Sequence, residues 1–408
     1  MTVTTVTAEY PYIKVTIDTR GLQPLARRAV GNIAIVGSKG GFGSAEANVP
    51  VQIGSAAEAR DMLAKTDGTG AITNGGKDVG PLYRAVLAAL LQNPAPTRVY
   101  AVPTADTPVE GGAADTTTPD YSAALTAAEA LSVQFVCLAG ETSATQLAKL
   151  KDHVETVSKA GDARMGVAMV DPMLTTSAEH TFASAAQTAY GTLKSDSGRM
   201  ILVAARVRKG ADGEPPVDVA AAATGAIAGY PPESSVLMKQ VSGVRIPLAQ
   251  QFGGSEIKQL AEAYIIPLID PELIPGEGLY FGSGRTFNTG GSAPLYVDTV
   301  RVVDQIDFML KAGLIGSIGE TRIDRLGLQG LRSRIDGILG PLVTSGVIAA
   351  YGIDIPLLPI LETEEATRSP GQASTLTAAR TERVVEVLLS VTYAGSIHFL
   401  DIQLALKA

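Results

Sequence analysis

Residues 133–172 read VQFVCLAGETSATQLAKLKDHVETVSKAGDARMGVAMVDP, and their pattern decides the fold class. Val133–Leu138 and Met165–Val170 are short apolar runs, which are typical of buried strands. Between them, Ala144–Ala160 carries apolar residues at helical spacing. This apolar stripe consists of Leu147, Leu150, Val154 and Val157. A strand, a helix and a second strand in this order favour a parallel sheet covered by helices.

The same alternation extends in both directions along the chain. We expect further strands at Asn32–Gly37, Arg98–Val102 and Met200–Val207. The segments between the strands have helical periodicity. These helical segments are Ala56–Lys65, with Ser55 as its N-cap, Leu82–Gln92, Ser122–Leu131 and Ser177–Leu193. Residues 104–120 are rich in Thr, Pro, Gly and Asp and are predicted to form an exposed loop. The alternation therefore predicts an α/β fold.

The pattern changes in the second half of the sequence. Gly229–Gly291 is rich in Gly and Pro, and we expect loops, short strands and one helix there. Val297–Leu314 has one apolar face and predicts a strong helix. Thr321–Ser345 predicts a second helix, which its glycines and its proline weaken. The apolar run Arg383–Thr392 predicts a strand. Helices and strands no longer alternate regularly, so a mixed α+β character is expected for this part.

Two segments near the ends of the sequence have the alternation of half-buried strands. In the first, polar residues separate Ile13, Val15 and Ile17. In the second, the alternating apolar residues are Leu400, Ile402, Leu404 and Leu406. The predicted α/β body needs neither strand to complete its pattern.

The composition excludes several classes of function. The chain has 408 residues, of which 46% are hydrophobic and 18% charged, which is enough apolar material for sizeable cores. Its formal net charge is −8 and it has no long Lys/Arg run, which argues against nucleic-acid binding. One cysteine and three well-separated histidines disfavour a metal site. Neither a signal-peptide pattern nor a membrane-spanning run is evident, so we expect a soluble protein made in the cytoplasm.

A glycine-rich loop is the one candidate for a ligand site. Gly37–Ser44 reads GSKGGFGS and follows a predicted strand, which is where a phosphate-binding loop would lie. The loop lacks both G-x-x-x-x-G-K-[ST] and G-x-G-x-x-G, and the residues after it read as loop and strand rather than helix. We therefore favour a connector over a nucleotide site.

No catalytic set of side chains is evident in the sequence. Cys137 lies in an apolar strand and is expected to be a buried, inert thiol. His153 is predicted on the polar side of a helix, at the surface, and His398 is expected to pack or to form a hydrogen bond. Asp162 and Asp171 bracket a strand and could bind Mg²⁺, although a turn is the more frequent role for Asp-Pro.

Five segments match, in order, the pattern of one known family. Two of them are short: Gly161–Pro172, a strand that ends in Asp-Pro, and Pro215-Pro216 before the Ala/Gly-rich Gly225–Gly229. Gly21–Leu63 contains an apolar strand, a Gly-rich loop, a Pro-Val-x-Ile run and a Ser-x-x-Glu helix start. Pro81–Pro103 is a helix and a strand joined by Asn-Pro-Ala-Pro, where the family usually has Asn-Gly-Gly. Gly284–Leu314 places Arg-Thr before a Tyr-x-x-x-Val-Arg-Val helix start, where the family has Tyr-x-x-Val-Arg-Arg. The chain thereby resembles contractile tail sheath proteins of phage tails and related contractile injection systems.

The resemblance implies a structural subunit with two domains. Residues 1–22 would form an extended arm, residues 23–295 an outer α/β domain, and residues 296–408 an inner domain that faces the tail tube. The two terminal strands would be exchanged with neighbouring subunits. The subunit would polymerise helically around a tube and contract. It would be no enzyme and would use no catalytic residue, cofactor or metal.

The resemblance also implies partners and a location. The partners would be further copies of the chain, the tail tube protein, and baseplate and tail terminator proteins, with no nucleic acid and no membrane insertion. Assembly would take place in the cytoplasm of the producing cell, and the product would be a virion tail or a contractile injection particle. Two alternatives stay open. One is an α/β enzyme that binds a phosphorylated ligand at Gly37–Ser44, and the other is a different tail component such as a tube or baseplate protein.

A group of basic residues marks the predicted inner domain. They are Arg322, Arg325, Arg332 and Arg334. Arg325 and Arg332 are seven positions apart and share a helix face. A sheath must grip its tube and then release it, so a polar and reversible contact is expected. These arginines are possible tube contacts. The alternative is a solvated helix face that Asp324 and Asp336 neutralise.

Overall fold

The computed structural model describes residues 30–108, 117–176, 181–207, 216–274, 278–291 and 295–398. The strands in chain order are β1 Asn32–Gly37, β2 Val51–Ile53, β3 Arg98–Pro103, β4 Ala105–Pro108, β5 Thr117–Asp120, β6 Phe135–Leu138, β7 Met165–Met169, β8 Met200–Ala204, β9 Gln240–Val241, β10 Ile266–Ile269, β11 Leu279–Phe281, β12 Ile348–Asp354 and β13 Leu388–Tyr393. The helices are α1 Ala56–Leu63, α2 Thr73–Gly76, α3 Pro81–Leu90, α4 Tyr121–Ala128, α5 Ala144–Lys159, α6 Phe182–Tyr190, α7 Val219–Gly229, α8 Gly254–Glu262, α9 Val297–Leu314, α10 Arg325–Thr344, α11 Leu357–Glu362 and α12 Pro370–Glu382.

A nine-stranded sheet forms the body, in the order β2-β3-β1-β6-β7-β8-β10-β11-β9. The strands from β3 to β10 are parallel to their neighbours, and β2, β9 and β11 add antiparallel edges. The register places Phe135 of β6 opposite Ile33 of β1 and Met165 of β7. The central strands are buried on both faces, which explains their continuous apolar sequences. The predicted parallel sheet covered by helices is confirmed.

Helices cover both faces of this sheet. Residues of α1, α3, α7 and the start of α9 pack on one face, and residues of α4, α5, α6 and α8 pack on the other. Helix α7 is alanine-rich and buried all round, so it can pass close to its neighbours. A Cβ at Gly225 would lie 2.5 Å from the carbonyl oxygen of Ala89 in α3, so only glycine permits this α3–α7 contact.

The remaining described residues build two smaller hydrophobic clusters. The first joins α9, α10 and the β12–β13 pair, and the second joins α10 to α11 and α12. Strands β12 and β13 pair antiparallel in a separate two-stranded sheet. Helix α9 connects the two parts, because Val297 and Val300 belong to the core of the body whereas Val302 and Ile306 belong to the first smaller cluster.

The structure corrects several expectations about individual segments. Residues 104–120 were expected to form an exposed loop, but β4 and β5 pair there as a hairpin, and Asp106 accepts hydrogen bonds from the hydroxyls of Ser38 and Thr104. Helix α10 begins at Arg325 rather than at Thr321, because the side chain of Asp324 caps it through the amide of Gly327. Strand β12 and helices α11 and α12 had no counterpart in the sequence analysis. Both predicted terminal strands lie outside the described residues.

Candidate assembly surfaces

The glycine-rich loop Gly37–Ser44 uses its one lysine internally. The ammonium of Lys39 donates hydrogen bonds to the carbonyl oxygens of Gly43, at 3.2 Å, and Ala45, at 2.6 Å. The hydroxyl of Ser38 donates to Asp106, and no helix follows the loop directly. A phosphate would need the lysine charge and a helix N-terminus. The loop therefore closes on itself and serves as a connector.

Contacts within the chain also occur at the crevice where open α/β sheets usually bind ligands. That crevice lies beyond the carboxyl ends of the central strands, here β1 and β6. A Cβ at Gly37 would lie 2.5 Å from the Cβ of Ala139, so the two strand ends are in direct contact. Just beyond them, Asp218 accepts hydrogen bonds from the amides of Gly140, at 2.7 Å, and Ala221, at 2.9 Å. Burial raises the pKa of Asp218. This carboxylate caps α7 and connects it to the loop after β6.

The other candidate groups have structural roles. Cys137 is fully buried, and burial raises the pKa of its thiol, as expected for an inert cysteine. The side chain of Asp171 accepts a hydrogen bond from the amide of Met173 in a turn, and Asp162 pairs with Arg164. Within the described ranges, no group of three or more His, Cys, Asp or Glu side chains could hold a metal ion. His398 forms a hydrogen bond with Ser235, which confirms the expected role.

The surface position predicted for His153 is wrong. Only 6% of this residue is exposed, because α5 packs over the loop that carries Arg164. The guanidinium of Arg164 lies 3.3 Å from Nε2 of His153 and donates to the carbonyl oxygens of Ala128 and Leu131, both at 3.0 Å. Because an arginine can only donate, His153 accepts through Nε2 and is neutral. Burial and the neighbouring guanidinium lower the pKa of His153 to about 4.

Helix α10 and the residues just before it expose arginines that form no ion pair with another described residue. Arg322, Arg325 and Arg332 are exposed, and none of them forms an ion pair with another described residue. Asp324 caps the helix, and Asp336 accepts a hydrogen bond from the hydroxyl of Tyr351 at 3.0 Å. The aspartates that could neutralise the arginines are therefore engaged elsewhere.

The fourth arginine of this group points in another direction. Arg334 lies nine positions after Arg325, about half a helical turn further round the axis. Its guanidinium donates a hydrogen bond to the hydroxyl of Ser317, in the connection between α9 and α10. Arg325 and Arg332 share a face, as predicted, whereas Arg334 lies on the opposite side of the helix.

The outward side of α10 also carries a row of small residues, which we call the small-residue face. It consists of Gly330, Ser333, Gly337, Gly340 and Thr344. A Cβ at Gly330 or Gly337 would meet no other atom within 4 Å. Each exposed glycine costs a helix about 1 kcal/mol relative to alanine. Packing inside the chain does not explain why glycine occupies these positions. Close approach of another molecule to the helix would explain it.

The two-stranded sheet of β12 and β13 exposes apolar residues and strand edges. Strand β13 reads LLSVTY, and Leu388, Leu389 and Val391 are all exposed by a third or more of their surface. Within the described residues each of these strands pairs only with the other, so each has one free edge. A free edge beside exposed apolar side chains is a template for a further strand.

Solved structures resemble the chain over nearly its whole length. The contracted helical sheath of the anti-feeding prophage matches with a TM-score of 0.65 and 11% identity, over 98% of this chain and 99% of that one. The contracted sheath of the PVC extracellular contractile injection system matches with a TM-score of 0.63 and 15% identity, over 98% of both chains. A sheath tail protein from Listeria innocua matches with a TM-score of 0.55 and 13% identity, over 91% of this chain and 96% of that one. The chain has the fold of a contractile sheath protein. No protein-family model and no curated protein sequence matches it.

The sheath fold confirms the resemblance seen in the sequence. The similar structures are structural proteins of contractile particles, and one of them comes from a baseplate of the anti-feeding prophage. Among the described helices, none is both long and apolar enough to cross a membrane.

The sequence analysis missed two features of these surfaces. Strand β12 reads IAAYGID and has too weak an alternation to be recognised. The small-residue face had a usable signal, because Gly330, Gly337 and Thr344 recur at intervals of seven positions, as do Ser333 and Gly340. This period keeps residues on one side of a helix. From the sequence alone, these glycines are interpreted only as residues that weaken the helix.

Proposed function

We propose that the chain is the structural subunit of a contractile tail sheath, which polymerises helically around a tail tube and contracts to drive the tube through a target envelope. The observation that carries this proposal is the sheath fold over nearly the whole chain. Heterologous contacts that do not close into a ring produce helical polymers of this kind. The energy for contraction would come from a metastable extended polymer, since stored strain can drive such a change without a catalytic site.

In this proposal, residues 23–295 form the outer domain and residues 296–408 the inner domain. The separation of the hydrophobic clusters supports such a division, because α10, β12 and β13 have a core of their own. The small-residue face and the exposed arginines belong to this second part. The large sheet would then lie away from the tube, and α10 would lie towards it.

Strand exchange would hold the subunits together. Residues 1–22 and the segment containing Leu400, Ile402, Leu404 and Leu406 would each add a strand to a neighbouring subunit. The free edges of β12 and β13, with the exposed side chains of Leu388 and Val391, are suitable acceptors. Main-chain hydrogen bonds would provide affinity, and alternating side chains would provide the register. Such links would let subunits rotate while they stay connected.

The tube would contact the outward side of α10. Arg325 and Arg332 would meet acidic groups of the tube protein, with Arg322 beside them, and the small-residue face would let the tube approach closely. Exposed ion pairs contribute little energy each, so this contact would release readily. Baseplate and tail terminator proteins would bind the ends of the sheath. Assembly would occur in the cytoplasm of the producing cell, as part of a virion tail or an injection particle.

Electron microscopy of the purified full-length chain tests the proposal. We expect long, hollow, striated cylinders, either from the chain alone or after expression together with its tube protein. A monodisperse monomer under both conditions would contradict the sheath role. Thin tubes without striation, or compact rings, would instead favour a tube or baseplate component. Images of the same sample after mild denaturant treatment should show shorter and wider cylinders if contraction occurs.

A further inference from the structure

The first turns of α9 bring three separate parts of the chain together. Around residues 296–301 the structure places the residues that follow β13, the loop that follows α7, and Val30, the first residue that it describes. Val30 and His398 are the first and the last residues of the described part of the chain. The contacts at this point therefore involve the described residues that lie nearest in sequence to the two predicted terminal strands.

A buried carboxylate holds the end of β13. Asp298 is only 3% exposed and lies in the first turn of α9. It forms no ion pair with another described residue, and it accepts a hydrogen bond from the hydroxyl of Tyr393 at 2.7 Å. Burial and this carboxylate raise the pKa of Tyr393, so the phenol remains a donor. Because a buried carboxylate without a donor is costly, this bond specifies the position of Tyr393.

A second contact holds the chain a few residues further on. The ring of His398 lies against the ring of Tyr296, with the centroids 4.4 Å apart, and Nε2 lies 2.9 Å from the hydroxyl oxygen of Ser235. The space beside it is narrow, since a Cβ at Gly284 would lie 3.0 Å from Cε1 of His398. Residues 393 and 398 are thus both attached to the same end of α9.

A buried arginine holds the other segment from one turn further along α9. Arg301 is 5% exposed, and its guanidinium donates hydrogen bonds to the carbonyl oxygens of Tyr230, at 2.7 Å, and Pro231, at 3.2 Å, with Val30 at 3.5 Å. The group lies 5.3 Å from the ring centroid of Phe135. Burial lowers the pKa of Arg301 to about 10, so it is charged at neutral pH. Three carbonyl groups from two segments share one guanidinium.

We propose that residues 296–301 form a shared anchor that sets the direction in which both terminal segments leave the body. The inference rests on the proposed function, in which these segments pair with neighbouring subunits. A segment that leaves in a defined direction loses less entropy when it reaches its acceptor. Residues 296–301 form a single helical turn and its N-cap, and they contact both ends of the described chain. The direction in which one terminal segment leaves would therefore be fixed relative to the direction of the other. Arg301, Asp298 and Tyr393 are positioning residues in this arrangement.

The variant Tyr393→Phe tests the anchor with little change in shape. Its matched control is Tyr351→Phe. Tyr351 lies in the same two-stranded sheet, and its hydroxyl also donates a hydrogen bond to a carboxylate, that of Asp336. We expect amide hydrogen exchange at residues 391–393, the end of β13 that pairs with β12, to become at least about tenfold faster in Tyr393→Phe and to stay unchanged in the control. The thermal unfolding midpoints of the two variants should be similar. Polymer yield at a given concentration should fall only for Tyr393→Phe.

The opposite side of the anchor is tested with Arg301→Lys. A lysine ammonium cannot reproduce the planar fork that contacts several carbonyl groups. We expect faster exchange at residues 30–32 and reduced polymer yield. Arg199→Lys is the control, because Arg199 pairs with Asp304 of the same helix but contacts neither terminal segment. If Arg301→Lys fails to fold, Tyr393→Phe and its control still decide the proposal.

The outcomes separate the anchor from the sheath role. Unchanged exchange at residues 391–393 in Tyr393→Phe, with normal polymer yield, would overturn the anchor. A fall in yield of equal size for Tyr351→Phe would overturn it as well, since the effect would then not depend on α9. If the wild-type chain forms no cylinders, the proposed function fails, and the exchange measurements on the monomer still decide whether the anchor exists.

Discussion

The sheet body and the region from α10 to β13 use apolar and small residues in opposite ways. In the body, glycine at position 225 and the alanines of α7 permit close packing within the chain. In α10, Gly330 and Gly337 meet nothing within 4 Å, and β13 leaves Leu388 and Val391 exposed. Packing within the chain explains these small residues of the body, whereas it does not explain Gly330 and Gly337 of α10. In the proposed function, contacts between molecules would explain them.

We expect the largest effect from a substitution in the C-terminal strand that prevents assembly but leaves the body folded. Ile402→Lys would place a charge on the apolar face of the exchanged strand. If that face is buried between subunits, the charge would weaken assembly by about 3 to 5 kcal/mol per subunit. We expect a folded monomer by circular dichroism and no cylinders by electron microscopy. Gln403→Lys, on the other face of the predicted strand, should assemble. An unfolded Ile402→Lys monomer would show that the strand completes its own subunit, and normal cylinders would exclude both roles.

Two glycine-to-alanine substitutions, one in each region, should change the free energy of unfolding in opposite directions. Gly225→Ala would press a Cβ against the backbone of Ala89 and lower the free energy of unfolding by about 2 kcal/mol. Gly337→Ala has free space and should raise it by about 1 kcal/mol, because alanine is the better helix former. Denaturant unfolding of the monomers measures both. If Gly337→Ala lowers the stability, the small-residue face of α10 must pack against another part of the same chain. The proposed difference between α10 and the body would then be wrong.

A change of pH should act on the body through His153. Its pKa is lowered from 6.5 to about 4 in the folded chain, so the unfolded chain binds the proton more readily between these values. Stability is therefore complete above pH 6.5 and falls as the pH decreases towards 4. Between pH 7 and pH 5 we expect His153 to account for a loss of about 2 kcal/mol. His153→Gln retains an acceptor for Arg164 and should lose less stability over the same range. An identical pH dependence would contradict this assignment.

A change of salt should act on α10. Reversing Arg325 and Arg332 to Glu should leave sheath polymerisation intact and weaken co-sedimentation with the tube by about tenfold at low salt. The difference should shrink as the salt concentration rises, since exposed charges are screened. The control reverses Lys65 and Lys77 to Glu, because these two exposed lysines belong to the sheet body and lie outside α10. Equal co-sedimentation of wild type and double variant across the salt series would exclude this tube contact.

Local patterns in the sequence were sufficient for most elements of the body. The apolar run Asn32–Gly37 predicted β1 with its observed bounds, and Val297–Leu314 predicted α9 in the same way. The cap predicted at Ser55 is present, since its hydroxyl accepts a hydrogen bond from the amide of Glu58 at 3.2 Å. These predictions succeed because a buried strand or an amphipathic helix needs a particular periodicity whatever its partner.

What only the tertiary structure decided depends on residues far apart in the chain. Strands β4 and β5 pair in a segment whose composition predicts a loop, and Asp106 of β4 accepts a hydrogen bond from Ser38. His153 is buried because Arg164 fills the space beside it. The free space around Gly337 also became visible only once the neighbours of α10 were placed. By itself, the sequence determined most of the strands and helices of the body, and the ordered segments that resemble sheath proteins. Which faces remain free for other molecules was decided by the tertiary structure, because a free surface is defined by the contacts that the rest of the chain does not make.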